Sequence, residues 1–207
     1  MMNSSIKKII KDIILIEIGL AISSFGTSLF YASGLGSSAM ATFSDGLHNV
    51  LAISYGDANM LANVVFLIIL AFLNYKFINI GTILCVFTIG PWVDFFTAIV
   101  ANLNIVALPL IIKIVITISG AAFMGVGLGL YMAVGRGFGA LEGVVKWLVM
   151  KTPLTIKTAK ILQDVFLSVS GILLGGAWGL GTIIGIVVIG PILQASSMRF
   201  GQLLNRL

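Results

Sequence analysis

The sequence predicts an all-α fold: a polytopic membrane bundle of six transmembrane helices, built as two inverted three-helix repeats with a short extra helix in each. Three observations carry this expectation. The chain is 59% hydrophobic and only 9% charged, with a mean hydropathy of +1.15. A soluble domain carries about 25% charged residues and could not cover this much apolar surface. Six apolar stretches also approach the ~20 residues that a ~30 Å hydrocarbon core requires. Finally, one stretch occurs twice, 100 residues apart: Gly81-Thr82, seven mostly apolar residues, Gly90-Pro91; then Gly181-Thr182, seven apolar residues, Gly190-Pro191. Chance resemblance of two greasy helices would not hold Thr, Gly and Pro at equal offsets, so the chain reads as an internal duplication.

The elements follow in order. Lys7, Lys8 and Lys11 precede the first apolar stretch. No small-residue cleavage site ends a short apolar core there, so the stretch is kept as the first span rather than a signal peptide. The spans are placed at residues 12–33, 58–76, 80–102, 107–134, 155–175 and 179–198. Segments 36–56 and 137–154 each have room for a short helix, interfacial or re-entrant. The duplication reaches beyond the Gly-Pro stretch. Gly34-Leu35-Gly36 corresponds to Gly135-Arg136-Gly137, and Gly19 and Gly26 align with Gly120 and Gly127 at an offset of 101. The repeats are residues 1–104 and 105–207 of a single compact membrane domain. Each holds three spans, an odd number, so the second sits upside-down relative to the first. Glycine at 24 positions suits close helix approach in lipid.

Charge orients the set by the positive-inside rule. The N-terminal lysines, Lys76, the group Arg136, Lys146, Lys151, Lys157 and Lys160, and finally Arg199 and Arg206 all mark the cytoplasmic side. Segments 36–56, 102–108 and 175–180 carry no Lys or Arg and face out; Lys113 alone runs mildly against the pattern. Both termini are therefore expected in the cytoplasm. Other classes are excluded by what the chain lacks. The single Cys85 allows no internal disulfide and no Cys-rich metal site. No basic face interleaved with aromatics points to nucleic acid. No nucleotide-binding loop, paired nucleophile or Cys/His cluster points to an enzyme, a cofactor or a metal.

The candidate site is built around the two Gly-Pro pairs. A proline about ten residues into a helix removes a backbone hydrogen bond and bends the segment. At ~1.5 Å per residue it lies ~13 Å along the span, near the membrane midplane. Gly90, Pro91, Gly190 and Pro191 would thus expose carbonyls for a solute, or serve packing alone. Three residues past Pro91 comes Asp94, and its twin position holds Gln194. A carboxylate at that depth costs about 2.5–3.5 kcal/mol, so Asp94 reads as a proton, cation or solute site, or as a buried acid locking helices. Trp92 beside the bend is a stacking candidate, while Trp147 and Trp178 fall near the interfaces as anchors. Asn63 and Asp164 are aligned polar positions that would line the cavity. Glu17 is a second proton-coupling candidate, or pairs with Lys8 and Lys11. Thr82 and Thr182 read as helix caps, Asp45 and His48 as an outer solvated pair, and Glu142 with Lys146 as a surface salt bridge.

Together these motifs resemble the YczE/YyaS/YitT group of bacterial membrane proteins. The resemblance covers nearly the whole chain: the Gly-Leu-Gly-x-Ser stretch from Gly34, Ser54-Tyr55-Gly56, Gly81-Thr82 to Gly90-Pro91 with Asp94, then Gly135 to Gly139, Lys157 and Lys160 before Asp164, and the second Gly-Thr and Gly-Pro set. The group's Ser-Pro-x-Asp in the first linker is here Ser38-Ala39-Met40-Ala41, and its Pro-x-Asp in the second is Ala140-Leu141-Glu142. The resemblance implies a multi-span protein of the bacterial cytoplasmic membrane, in contact with lipid. The function expected is a small secondary transporter or facilitator of a small neutral, zwitterionic or cationic organic solute, as a monomer or homodimer. The alternatives are a substrate-binding membrane subunit served by a separate ATPase module, and a non-transporting envelope or regulatory protein.

Overall fold

The computed structural model describes residues 4–36, 38–53 and 55–205; Ser37, Ser54 and Arg206 of the sequence motifs and charge pattern lie outside the described residues. Among the described residues the chain is helical throughout, with no strand. Its eight α-helices are α1 (Ser4–Ala32), α2 (Ala39–Leu51), α3 (Tyr55–Asn74), α4 (Ile80–Ala101), α5 (Leu110–Val134), α6 (Ala140–Lys151), α7 (Ile156–Leu173) and α8 (Leu180–Leu204). All six expected spans and both short linker helices are present as helices, most boundaries agreeing within a few residues. Five of the helices, α1, α3, α4, α5 and α8, are long and apolar enough to cross a membrane. The exception is α7, whose first turns carry Lys157, Lys160 and Asp164. Both interior prolines, Pro91 and Pro191, sit inside continuous helices.

The centre of the molecule is the pair α1 and α5. They cross antiparallel with backbones nearly touching. A Cβ on Gly19 would lie 2.8 Å from the carbonyl oxygen of Gly127, and one on Gly120 would lie 2.7 Å from that of Gly26. The aligned glycines are therefore the contact itself, and a side chain at any of them would push the helices apart. Around them the apolar core gathers Ile16, Leu20, Leu128, Tyr131, Met132, Phe138 and Leu193. α4 lies along α1, with Ser24 and Ser28 donating to the Ile89 and Val93 carbonyls that bracket Pro91 (3.4 and 3.2 Å). α8 lies along α5. The short helices bridge the halves, α2 packing on α7 and α3 on α6.

Matched contacts recur at the two linkers. Gly81 N donates to Arg136 O (2.7 Å), and Gly181 N donates to Leu35 O (2.8 Å). Gly36 and Gly137 have φ of +129° and +113°, a region side chains avoid, and each lies against the start of the facing span, at Gly179 and at Asn79. Those starts are capped alike: the Thr82 hydroxyl accepts from Asn79 N (3.2 Å) and the Thr182 hydroxyl from Gly179 N (3.3 Å). The two threonines are thus caps, worth about 1 kcal/mol each.

Candidate functional site

The structure does not bring the predicted site residues into one cavity. α4 and α8 do not lie along one another, so the two Gly-Pro stretches flank the central pair instead of crossing beside it. Gly90, Pro91 and Asp94 are exposed on α4, whereas Gly190 is buried and Pro191 and Gln194 are half-buried on α8. The physical reason is the neighbour each helix has. α7 packs antiparallel along α8, where Lys157 N donates to Gln194 Oε1 (2.9 Å). α3 is not packed along α4. Asn63 is exposed, its amide donating to Asn59 Oδ1 (2.6 Å). Trp92 stacks on Phe96 and donates its indole N–H to Glu17 Oε2 (2.9 Å), so Glu17 pairs with Trp92.

What the structure does assemble is a buried polar set at the junction of α1, α4, α5, α6 and α7. On α7, Lys160 Nζ donates to Asp164 Oδ1 at 2.6 Å, with the two residues only 7% and 3% exposed. The i,i+4 spacing places both on one face, toward the short helices. Gln163 on the same side donates to Leu141 O (3.0 Å), and its own Oε1 is buried without a partner. Glu142 in the first turn of α6 turns its carboxylate back over Gly139 beside Cys85 Sγ, within electrostatic reach of Lys160 and Asp164. Burial pushes its carboxyl pKa up, against the opposing pull of the Lys160 ammonium. The expected surface bridge from Glu142 to Lys146 does not form, because the carboxylate is drawn inward. Tyr131 completes the set: it is fully buried, beside Cys85, and its hydroxyl donates to Gly81 O (3.1 Å). Glu17 lies within reach of Cys85, and its Oε1 is buried without a partner.

Two carboxyl groups, Glu142 and Asp164, therefore share one buried ammonium, Lys160, and Glu17 adjoins the set through Cys85. Such a set can hold and pass protons or attract a cation. Its walls leave buried oxygens on Glu17 and Gln163 open for water or a polar solute. Near the N-terminal end of α1, Arg136 Nε pairs with Asp12 Oδ2 at 2.7 Å and ties the second linker to the first helix. On the first linker, Asp45 accepts from Ala177 N (2.7 Å), so it anchors α2 to the loop before α8 instead of standing free in solvent. A hollow lined by Ile18, Ala21, Ile22, Phe25, Phe96 and Phe123 is wholly apolar.

Sequence reasoning had Glu17 and Asp164 as candidates but missed their grouping with Glu142, Lys160, Cys85 and Tyr131. One signal was visible. Lys160 and Asp164 stand one turn apart in a segment otherwise fit to cross lipid, a spacing that lets each neutralise the other.

Comparison with known proteins is consistent with this architecture. Residues 10–198 match the family described as a family of unknown function, DUF6198. An uncharacterized protein of Haemophilus influenzae is 25% identical over 89% of this chain and 82% of its own length. The uncharacterized membrane protein YczE of Bacillus subtilis is 26% identical over 90% of this chain and 86% of its own. No solved structure matches.

Proposed function

The chain belongs to the DUF6198 family of multi-pass, YczE-like membrane proteins, and from that premise we propose that it is a small secondary transporter or facilitator. It moves a small organic solute across the bacterial cytoplasmic membrane. In this reading α7 is the sixth span, both termini are cytoplasmic, and the two three-helix halves are inverted repeats. Exchange of contacts between the halves supports the last point: Gly19 meets Gly127 while Gly26 meets Gly120, the reciprocity a two-fold axis generates. α7 running antiparallel to α8 supports its crossing.

The observation that carries the transport reading is the buried Lys160–Asp164 pair with Glu142 beside it. Ionisable groups inside a lipid-embedded bundle are costly and mark ion or solute pathways and proton relays. In a chain with 9% charged residues, three of them converge in one place. The solute path runs beside the Gly-Pro stretches, with Asp94 and the buried set as its polar stations. Proton binding at Glu142 or Asp164 couples the step.

Purified protein reconstituted alone in liposomes should take up candidate amines, amino acids or vitamins, and acidify the lumen in step with uptake. Glu142→Gln should abolish the proton movement. Uptake that appears only when an ATPase module is co-purified would overturn the autonomous-carrier reading.

A further inference from the structure

The two halves differ in how α3 and α7 pack. In the second half, α7 is shut against α8: a Cβ on Gly190 would lie 3.0 Å from Lys157 O and 3.2 Å from Ile161. In the first half, the equivalent seat at Gly90 is empty, with nothing within 4 Å among the described residues. The residue aligned with Ile161 is Met60, which stands 65% exposed on α3. The polar pairs follow the same division. Lys160–Asp164 is buried, whereas its aligned counterpart, Asn59–Asn63, makes the same i,i+4 contact at an exposed position.

We propose that α3 and α7 are two copies of one gate, of which this structure holds α7 closed on α8 and α3 open from α4, and that the open arm exposes Asp94 as a binding site for an organic cation or another N–H-bearing solute. The proposal rests on the transport reading and supplies its site and its motion. Gln194 shows what the site takes: in the closed arm its side-chain oxygen is occupied by the main-chain N–H of Lys157 (2.9 Å). Asp94 is the same acceptor with a full negative charge and no gate upon it. A carboxylate left open on a span is costly, so it favours either a cationic occupant or the return of α3. Closure would seat Met60 at Gly90 and bring Gly56, aligned with Lys157, to Asp94. With the N-terminus cytoplasmic, the open arm faces outward. Exchange of the two arms' states would turn the site inward, which is alternating access in an inverted repeat.

The test uses the full chain in liposomes, with uptake read on the protein that keeps Cys85 and distances read on Cys85→Ser. Spin labels are placed at Met60→Cys and Phe87→Cys across the open arm, and at Ile161→Cys and Val187→Cys across the closed one. The expected result is a mainly long distance for the first pair with a shorter minority, and the reverse for the second. Gly190→Leu, which collides with Lys157 and Ile161, should raise the shorter fraction of the first pair at least twofold. Butylammonium should change that fraction in the Gly190 protein, and Asp94→Asn should abolish the change. A single unvarying distance for the first pair, in both Gly190 and Leu backgrounds, overturns the gate; uptake that persists then leaves the transport reading standing. Two populations without uptake of any solute keep the gate and remove the carrier. A distance measured from Phe87→Cys alone would show a second copy seated on α4, and would overturn α3 as its cover. No response to butylammonium, with the gate still moving, overturns the ligand assignment.

Discussion

The two linker junctions share a main-chain plan and differ in the side chains around it. At one, Gly181 bonds Leu35 O, and Phe30, 1% exposed, packs its ring against Gly181 and Gly185. At the other, Gly81 bonds Arg136 O, and Tyr131 occupies the place of Phe30, Cys85 that of Gly185, and Glu142 that of Ala41. The first junction shows that this corner can be built with Phe30, Gly185 and Ala41 at those three positions. The thiol and carboxylate of the second are therefore not needed to form the corner, and ionisable groups buried in a membrane bundle point to function. The short polar pairs teach the same lesson: Asn59–Asn63 serves in one half where Lys160–Asp164 serves in the other.

The comparison can be broken most sharply at the charged pair. Asp164→Asn alone takes from the buried Lys160 ammonium its hydrogen-bonded partner and should cost about 3–5 kcal/mol of stability. The double variant Lys160→Asn, Asp164→Asn copies the other half and should recover most of that loss, while uptake stays abolished. Thermal unfolding in detergent alongside liposome uptake reads both. If the double variant is as unstable as the single, the halves are not interchangeable in the way described.

Glycine at the junctions gives the next effect. A Cβ on Gly81 would lie 2.8 Å from Arg136 O, whereas one on Gly181 would lie 3.2 Å from Leu35 O. Gly81→Ala should therefore destabilise by about 1–3 kcal/mol through loss or distortion of that hydrogen bond, and Gly181→Ala by clearly less. Equal melting temperatures for the two would contradict the geometry.

Glu142 adds a pH dependence that its counterpart Ala41 cannot. Because burial raises its folded pKa above the ordinary 4.5, the folded state binds the extra proton. Its contribution favours the folded state at low pH and is lost as pH rises from 4.5 toward the raised value, with a slope of at most about 1.4 kcal/mol per pH unit. Lys160 and Asp164 face the same carboxylate from α7, and Glu142→Gln should flatten that slope. An unchanged profile in Glu142→Gln would place the carboxylate in contact with water.

Tyr131→Phe should be mildest, about 0.5–1.5 kcal/mol for one lost hydrogen bond, since Phe30 already fills the equivalent position. Measurable uptake loss with so small a stability change would mark the hydroxyl as part of the path.

Much of the fold was legible in the chain. The apolar runs announced α1, α3, α4, α5 and α8, and the shorter semi-polar segments announced α2 and α6. Thr82 and Thr182 announced their caps, because capping is decided within one turn of backbone. Gly19, Gly26, Gly120 and Gly127 were recognised as packing faces by their offsets, although which faced which was not. The site was less legible. Asp94 and Gln194 looked like walls of one cavity, since equal positions in aligned spans suggest equal surroundings. Glu142 looked like a surface partner of Lys146, because the i,i+4 rule sees only its own helix and not Lys160 on α7.

By itself, then, the sequence determined the helices and their caps, since hydrophobic length and local hydrogen bonding are properties of the chain alone. Only the tertiary structure decided that α7 rests on α8 while α3 stands away from α4, and that Glu17, Cys85, Tyr131, Glu142 and Lys160 share one neighbourhood. The reason is that side chains gathered from helices far apart in the chain leave no pattern within any one of them.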